Sequence, residues 1–164
     1  MPVASGEREK VQSAGEKCGW VVENPALSTF TFTRHCHRMP VVKDTLRATV
    51  RVGYDGRVYK QFRGPKAAER FATEVAVLRH LAKRGCAFVP RLIEADAEQL
   101  KIVTTNCGAR VEHLDEKRML ELYAELTQYG VRHDDAELRN VTYRQQDGRF
   151  CLIDFEFATI LPDA

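Results

Sequence analysis

At 164 residues, with 44% hydrophobic and 29% charged residues, the chain has the composition of a soluble globular protein large enough to bury a real core. A net charge of +2 selects no partner and gives no ground for nucleic acid; no apolar run is long enough to span a bilayer and the amino end lacks a signal-peptide pattern, so no membrane partner is expected. Five cysteines, Cys18, Cys36, Cys86, Cys107 and Cys151, are scattered without a C-x-x-C, which reads as reduced thiols of a cytoplasmic protein, mostly core filler.

Residues 1–27 are polar and lack sustained periodicity apart from Trp20-Val21-Val22, and read as a loosely docked arm. Ser28 to Arg34 alternates Phe30 and Phe32 with threonines, a strand signal. A basic, glycine-free connection follows at 34–45. Its His35-Cys36-His37 triplet does not read as a metal site, because neighbours on an extended chain point to opposite sides. Leu46, Ala48, Val50 and Val52 then alternate with polar residues as a second strand, and Gly53-Tyr54-Asp55-Gly56 turns it into a third, R-V-Y-K-Q-F at 57–62. A helix is expected over 65–84, opened by Gly64-Pro65 and closed by Gly85. Phe88 to Ile93 and Leu100 to Val103 read as two short strands around an acidic turn at Glu94–Glu98. Asp115 caps a further helix with Met119, Leu122, Tyr123 and Leu126 inward and Gly130 at its end.

Two charges in this series point inward. Lys60 shares a strand face with Val58 and Phe62, and a lysine on an apolar face is costly unless paired. Glu74 lies on the apolar stripe of the helix, three residues from Phe71 and four from Leu78. One acid and one base, both aimed at the core from adjacent elements, are expected to form an ion pair.

The densest chemistry is H-D-D-A-E-L-R-N at 133–140, followed by L-I-D-F-E at 152–156. Between them, Val141 to Ile153 reads as two strands joined by a Gln146-Asp147-Gly148 turn, a hairpin that can bring Asp154 back beside Asn140. This spacing of His133, Asp135, Asn140 and Asp154, with Lys60 and Glu74 upstream, resembles the protein-kinase superfamily, and the form H-x-D-x-x-x-R-N with I-D-F-E-x-A is similar to its small, divergent members. The resemblance implies an α+β, two-lobed fold. Residues 28–105 would form a five-stranded antiparallel sheet with one helix, and 106–164 a minimal, mainly helical carboxy-terminal lobe. It implies ATP as nucleotide and magnesium, or manganese, as metal. Asp135 would orient the acceptor hydroxyl, and Asn140 and Asp154 would ligate the metal. Lys60, positioned by Glu74, would grip phosphates. Thr104, Thr105, Asn106 and Cys107 would line the adenine site, and His133 would be structural.

Four features depart from that pattern. Asp134 stands where many kinases have arginine, and Glu156 where they have glycine. The 34–45 connection, where a phosphate-covering loop is expected, has no glycine, so Arg34, His35, His37, Arg38 or Lys43 would have to supply positive charge. The ten residues after Asp154 leave no room for an activation segment, consistent with a minimal protein or a fragment. A protein Ser/Thr kinase-like enzyme is the first expectation. A small-molecule kinase of the aminoglycoside or choline type and a nucleotide-binding pseudokinase acting as an interaction module remain open. A metal-dependent hydrolase built on His133, Asp134, Asp135 and Asp154 ranks last, because it gives Lys60 and Glu74 no role.

Overall fold

The computed structural model describes residues 41–162. The expected arm, the Ser28–Arg34 strand and the His35-Cys36-His37 triplet lie outside the described residues.

The fold is α+β. A five-stranded antiparallel sheet has the order β1-β2-β3-β5-β4, formed by β1 (Val41–Asp44), β2 (Ala48–Val52), β3 (Arg57–Phe62), β4 (Leu92–Asp96) and β5 (Lys101–Thr105). The β2–β3 hairpin closes at the expected turn, where Gly53 N–H donates to Arg57 at 2.8 Å and Asp55 accepts from Arg57 N–H at 3.1 Å. Period-two burial along β3 leaves Arg57 and Gln61 exposed and buries Lys60 and Phe62.

Two strand boundaries differ from expectation. Val41–Asp44, read as part of the basic connection, is an edge strand paired to β2, with a bulge between Val41 and Lys43. The β-branched pair Val41-Val42 suits a pleated edge, a weak signal beside so many charges. The next boundary shifts in the same way. The ladder of β4 begins at Leu92, and Glu94 and Asp96, expected in a turn, belong to it. β4 is the other edge of the sheet, where outward charges are tolerated and discourage pairing with a second chain.

Helix α1 (Ala67–Lys83) lies against the sheet and buries Arg70, Phe71, Glu74, Val75, Val77, Leu78 and Leu81. Phe71 meets Phe62 edge to face, with centroids 5.8 Å apart. This core continues without a break into Leu122, Leu126, Val131, Val141, Leu152 and Phe155.

After β5 the chain passes through Asn106–Gly108 into β6 (Ala109–Arg110). Gly108 has φ +90°, and a Cβ there would lie 2.0 Å from the Tyr143 carbonyl oxygen, so only glycine fits this close approach. Helix α2 (Glu116–Gln128) is capped by Asp115, which accepts from Arg118 N–H at 3.2 Å. Then come β7 (Val131–Arg132), a 3-10 turn at Leu138–Asn140, β8 (Val141–Arg144), β9 (Arg149–Leu152) and β10 (Thr159–Ile160). The expected 141–153 hairpin is β8–β9, flanked by β6, while β7 pairs with β10. Residues 106–162 are therefore not mainly helical. One 13-residue helix is accompanied by five short strands, because the hairpin and its flanking segments satisfy their backbone groups as ladders. Among the described residues no helix is long and apolar enough to cross a membrane, and Cys86, Cys107 and Cys151 are buried free thiols.

Candidate functional site

The inward charges of β3 and α1 meet. Lys60 Nζ lies 2.6 Å from Glu74 Oε2, 2.5 Å from Asp154 Oδ1 and 3.7 Å from Glu156 Oε2, and the Lys60 side chain is only 9% exposed. Lys43, on β1, reaches the other oxygen of Asp154 at 3.1 Å. Arg70, one turn before Glu74 on α1, donates to Glu156 at 2.9 Å and to the carbonyls of Arg47, Arg63 and Pro65. Three cations thus face three carboxylates. A buried ion is tolerated only when its partners and hydrogen bonds are this complete.

The cluster sets its own protonation. Burial pushes the Asp154 carboxyl up, but Lys60 and Lys43 outweigh burial and hold it well below the usual carboxylate range. Burial pulls the Lys60 ammonium down, and Glu74, Asp154 and Glu156 together raise it above its ordinary value. Burial pushes Glu74 up to about 7. Lys60 serves three acids at once, and Asp154 and Glu156 repel Glu74, so Glu74 gains less from the pair than Lys60 gains from all three.

That asymmetry gives a testable sign. The Glu74 pKa is raised from 4.5 to about 7, so between those values the folded chain holds a proton that the unfolded chain releases. Stability contributed through Glu74 therefore falls as pH rises from 5 to 7.5, by an amount on the order of 2 kcal/mol. His133, whose pKa is pulled down by burial, acts oppositely below its ordinary value. The melting midpoint of Glu74→Gln relative to the parent, read at pH 5 and 7.5, isolates the Glu74 effect. The variant is expected to gain on the parent with rising pH, and an unchanged difference would remove Glu74 as a near-neutral titrating group.

Lys43, Lys60, Glu74 and Asp154 form the polar end of a cleft. Val50, Val52, Val58 and Ile102 supply apolar walls, and Thr104, Thr105, Asn106 and Cys107 line it further along. Its mixture of apolar walls with a few convergent charges suits a small organic ligand with a charged end.

A second group is joined to this one through the backbone. His133 Nε2 lies 3.1 Å from the Ile153 carbonyl, and Asp135 N–H donates to His133 Nδ1 at 3.3 Å. A ring nitrogen facing a carbonyl must carry the proton, so His133 is the neutral Nε2–H tautomer, and burial keeps it neutral. Ile153 N–H donates to Asn140 at 2.9 Å, which sets Asp154 one residue from that contact, as the hairpin spacing predicts. Asp154 itself has φ +68°, a left-handed conformation that aspartate tolerates better than most residues. Asp135 accepts from Arg139 at 2.8 and 3.0 Å, and Asn140 Nδ2 donates to both the backbone and the carboxylate of Asp135. Burial raises the Asp135 pKa, but the Arg139 and Asn140 hydrogen bonds outweigh it and keep the carboxyl below its usual value.

Compared with known family models and curated proteins, the chain matches none. The site therefore rests on its own geometry. That geometry gathers Lys60, Glu74, Asp154 and Thr104–Cys107 around one cleft, while Asp135 and Asn140 stand beside it, bonded to each other. It does not assemble His133, Asp134, Asp135 and Asp154 around one point. Asp134 is turned to Arg132 and Thr159, and both ring nitrogens of His133 are engaged. Lys43, Arg70 and Glu156 complete the charge cluster beyond the motif residues. The sequence held a signal for Arg70, which lies four residues before Glu74 and so on the same helix face.

For a metal, the donor chemistry fits a hard cation. The Asp154 carboxylate and the Asn140 amide oxygen are oxygen ligands, and Asn140 uses its nitrogen on Asp135, which leaves its oxygen for another partner. The acids Glu74, Asp154 and Glu156 also place ligand atoms within 4.8 Å of one another, but the Lys60 ammonium already bonds two of them and neighbours the third. Both Asp154 oxygens already carry an ammonium, Lys60 on one and Lys43 on the other, so a metal there would have to share or displace one of them.

Proposed function

We propose that this chain is an ATP- and magnesium-dependent phosphotransferase of the protein-kinase-like type. Its five-stranded sheet with α1 would be the amino-terminal lobe, and residues 106–164 a reduced carboxy-terminal lobe. One observation carries the reading: a buried lysine–glutamate pair, 2.6 Å apart, stands beside Asp154 at the charged end of a cleft. Two lysines at the charged end of a cleft with apolar walls suit an anionic group on an organic ligand.

In this reading Lys60, held by Glu74, binds phosphate oxygens, and Thr104–Cys107 border the base. Asn140 and Asp154 would hold magnesium, which when bound neutralises charge on the phosphates. Asp135 is ionised at neutral pH, and its work is to orient the acceptor hydroxyl and take its proton. The acceptor oxygen bonds to the terminal phosphorus, the bond from that phosphorus to the bridging oxygen breaks, and ADP departs with the electron pair. Arg139, which bonds both Asp135 oxygens in the ligand-free chain, would have to release one of them to the acceptor. A protein serine or threonine is the acceptor that the resemblance implies, with a small-molecule alcohol as the alternative.

A second reading, a nucleotide-binding interaction module without transfer, draws on the full pairing of Asp135 with Arg139 and Asn140. Labelled ATP with magnesium separates the two. Transfer to protein, to a small alcohol or to water is expected for the enzyme. Binding of ATP with none of these, in magnesium or manganese, would replace the enzyme by the module.

A further inference from the structure

We propose that Lys43 is a second phosphate-binding residue, forming with Lys60 a two-lysine clamp for the polyphosphate of a nucleotide. The inference rests on the phosphotransferase reading and adds how a chain without a glycine-rich phosphate loop would hold its anion.

The β1–β2 turn cannot cradle a phosphate with its backbone. Thr45 N–H donates to Ala48 at 3.0 Å, and the Thr45 hydroxyl accepts from Arg47 N–H and Ala48 N–H at 3.3 and 3.2 Å. These donors are consumed inside the turn. The turn also leans on the β3–α1 connection. Arg47 accepts from Arg63 N–H at 2.8 Å, and a Cβ on Gly64 would meet the Leu46 carbonyl at 2.7 Å. An anion bound in the cleft must take its charge complement from side chains.

Lys43 is placed to provide it. It pairs across the sheet with Val50, which lines the cleft, so both side chains share the cleft face. The bulge just before it re-aims the strand there. Its ammonium lies 3.1 Å from Asp154 Oδ2, while Lys60 takes Oδ1 at 2.5 Å. Two ammoniums therefore bracket one small oxyanion, and a phosphate presents the same kind of oxygen edge. The two lysines differ in freedom. Lys60 is 9% exposed and fixed by Glu74, whereas the Lys43 side chain is 32% exposed. Lys43 is the more exposed of the two, so it, and not Lys60, has room to swing from Asp154 to a ligand. Lys60 is the fixed jaw and Lys43 the moving one.

The test is calorimetric titration of the full chain with ATP, AMP and inorganic tripolyphosphate, with and without magnesium. Parent, Lys43→Met, Lys43→Arg and Lys60→Met are compared. Lys43→Met is expected to weaken ATP and tripolyphosphate about tenfold or more while changing AMP less than about threefold, the scale of one charge-assisted contact to the outer phosphates. Lys43→Arg recovers most of the loss, which a merely structural lysine would not require. If Lys43→Met binds ATP like the parent while Lys60→Met does not, the clamp is wrong and the nucleotide reading stands. If the parent ignores ATP but binds tripolyphosphate through Lys43, the clamp stands and the nucleotide reading falls. If the parent binds neither, both fall.

Discussion

Asp154→Asn is expected to abolish magnesium-dependent ATP turnover while leaving the fold intact. Asparagine matches the size of aspartate and adopts the left-handed conformation that residue 154 requires, at φ +68°. Lys60 keeps Glu74 at 2.6 Å, so the sheet–helix contact survives. What disappears is the negative charge that a divalent cation needs from a ligand. A second effect has the opposite sign. Asp154 occupies both lysines in the ligand-free chain. Its neutralisation frees two ammoniums, so binding of metal-free ATP should tighten, not weaken. Turnover assays with magnesium and titrations in a chelator check the two halves, with circular dichroism for the fold. Parental turnover in the variant would remove Asp154 from the metal site and undo the proposed chemistry.

Asp135→Ala should lower phosphoryl transfer by about a hundredfold or more, the scale of losing a positioned proton acceptor, with ATP–magnesium binding retained. The separation is structural. Asp135 is not among the residues that line the cleft, and its carboxylate meets Arg139 and Asn140. Asn140 also donates to the Asp135 backbone at 2.8 Å, a bond that alanine keeps, so the metal-side asparagine stays oriented. Labelled ATP measures transfer, and calorimetry measures binding. Transfer at the parental rate would show that another group orients the acceptor. Loss of binding together with transfer would mean that Asp135 supports the nucleotide site instead.

Much of this site was legible because it obeys two periodicities. Lys60 falls on the apolar phase of a two-residue strand repeat and Glu74 on the apolar stripe of a helix, so each was conspicuous as a charge in the wrong place. The β8–β9 hairpin was readable from its Asp147-Gly148 turn. Other parts followed no such repeat. The helix repeat puts Arg70 on the face of Glu74, but its partner Glu156 comes from a distant segment, and no local pattern reports a contact between residues so far apart. Lys43 was one of several basic residues in a stretch with no period, and only the register of β1 against Val50 aims it at the cleft. Glu94 and Asp96 read as a turn because edge strands carry charges that central strands do not. The carboxy-terminal half was misjudged as mainly helical because its strands are as short as two residues, too brief for alternation to register.

The Arg70 guanidinium has a consequence for motion. It ties the first turn of α1 to Glu156, just beyond Asp154, and to the carbonyls of three further residues. Swinging α1 outward would break the buried Arg70–Glu156 pair, a cost on the order of 3–5 kcal/mol, and leave Lys60 as the neighbour of Glu156. Withdrawal of Glu74 from Lys60 is accordingly a rare excursion, not a second resting posture. If the proposed enzyme has working and resting forms, moving this helix between them would have to break those contacts first.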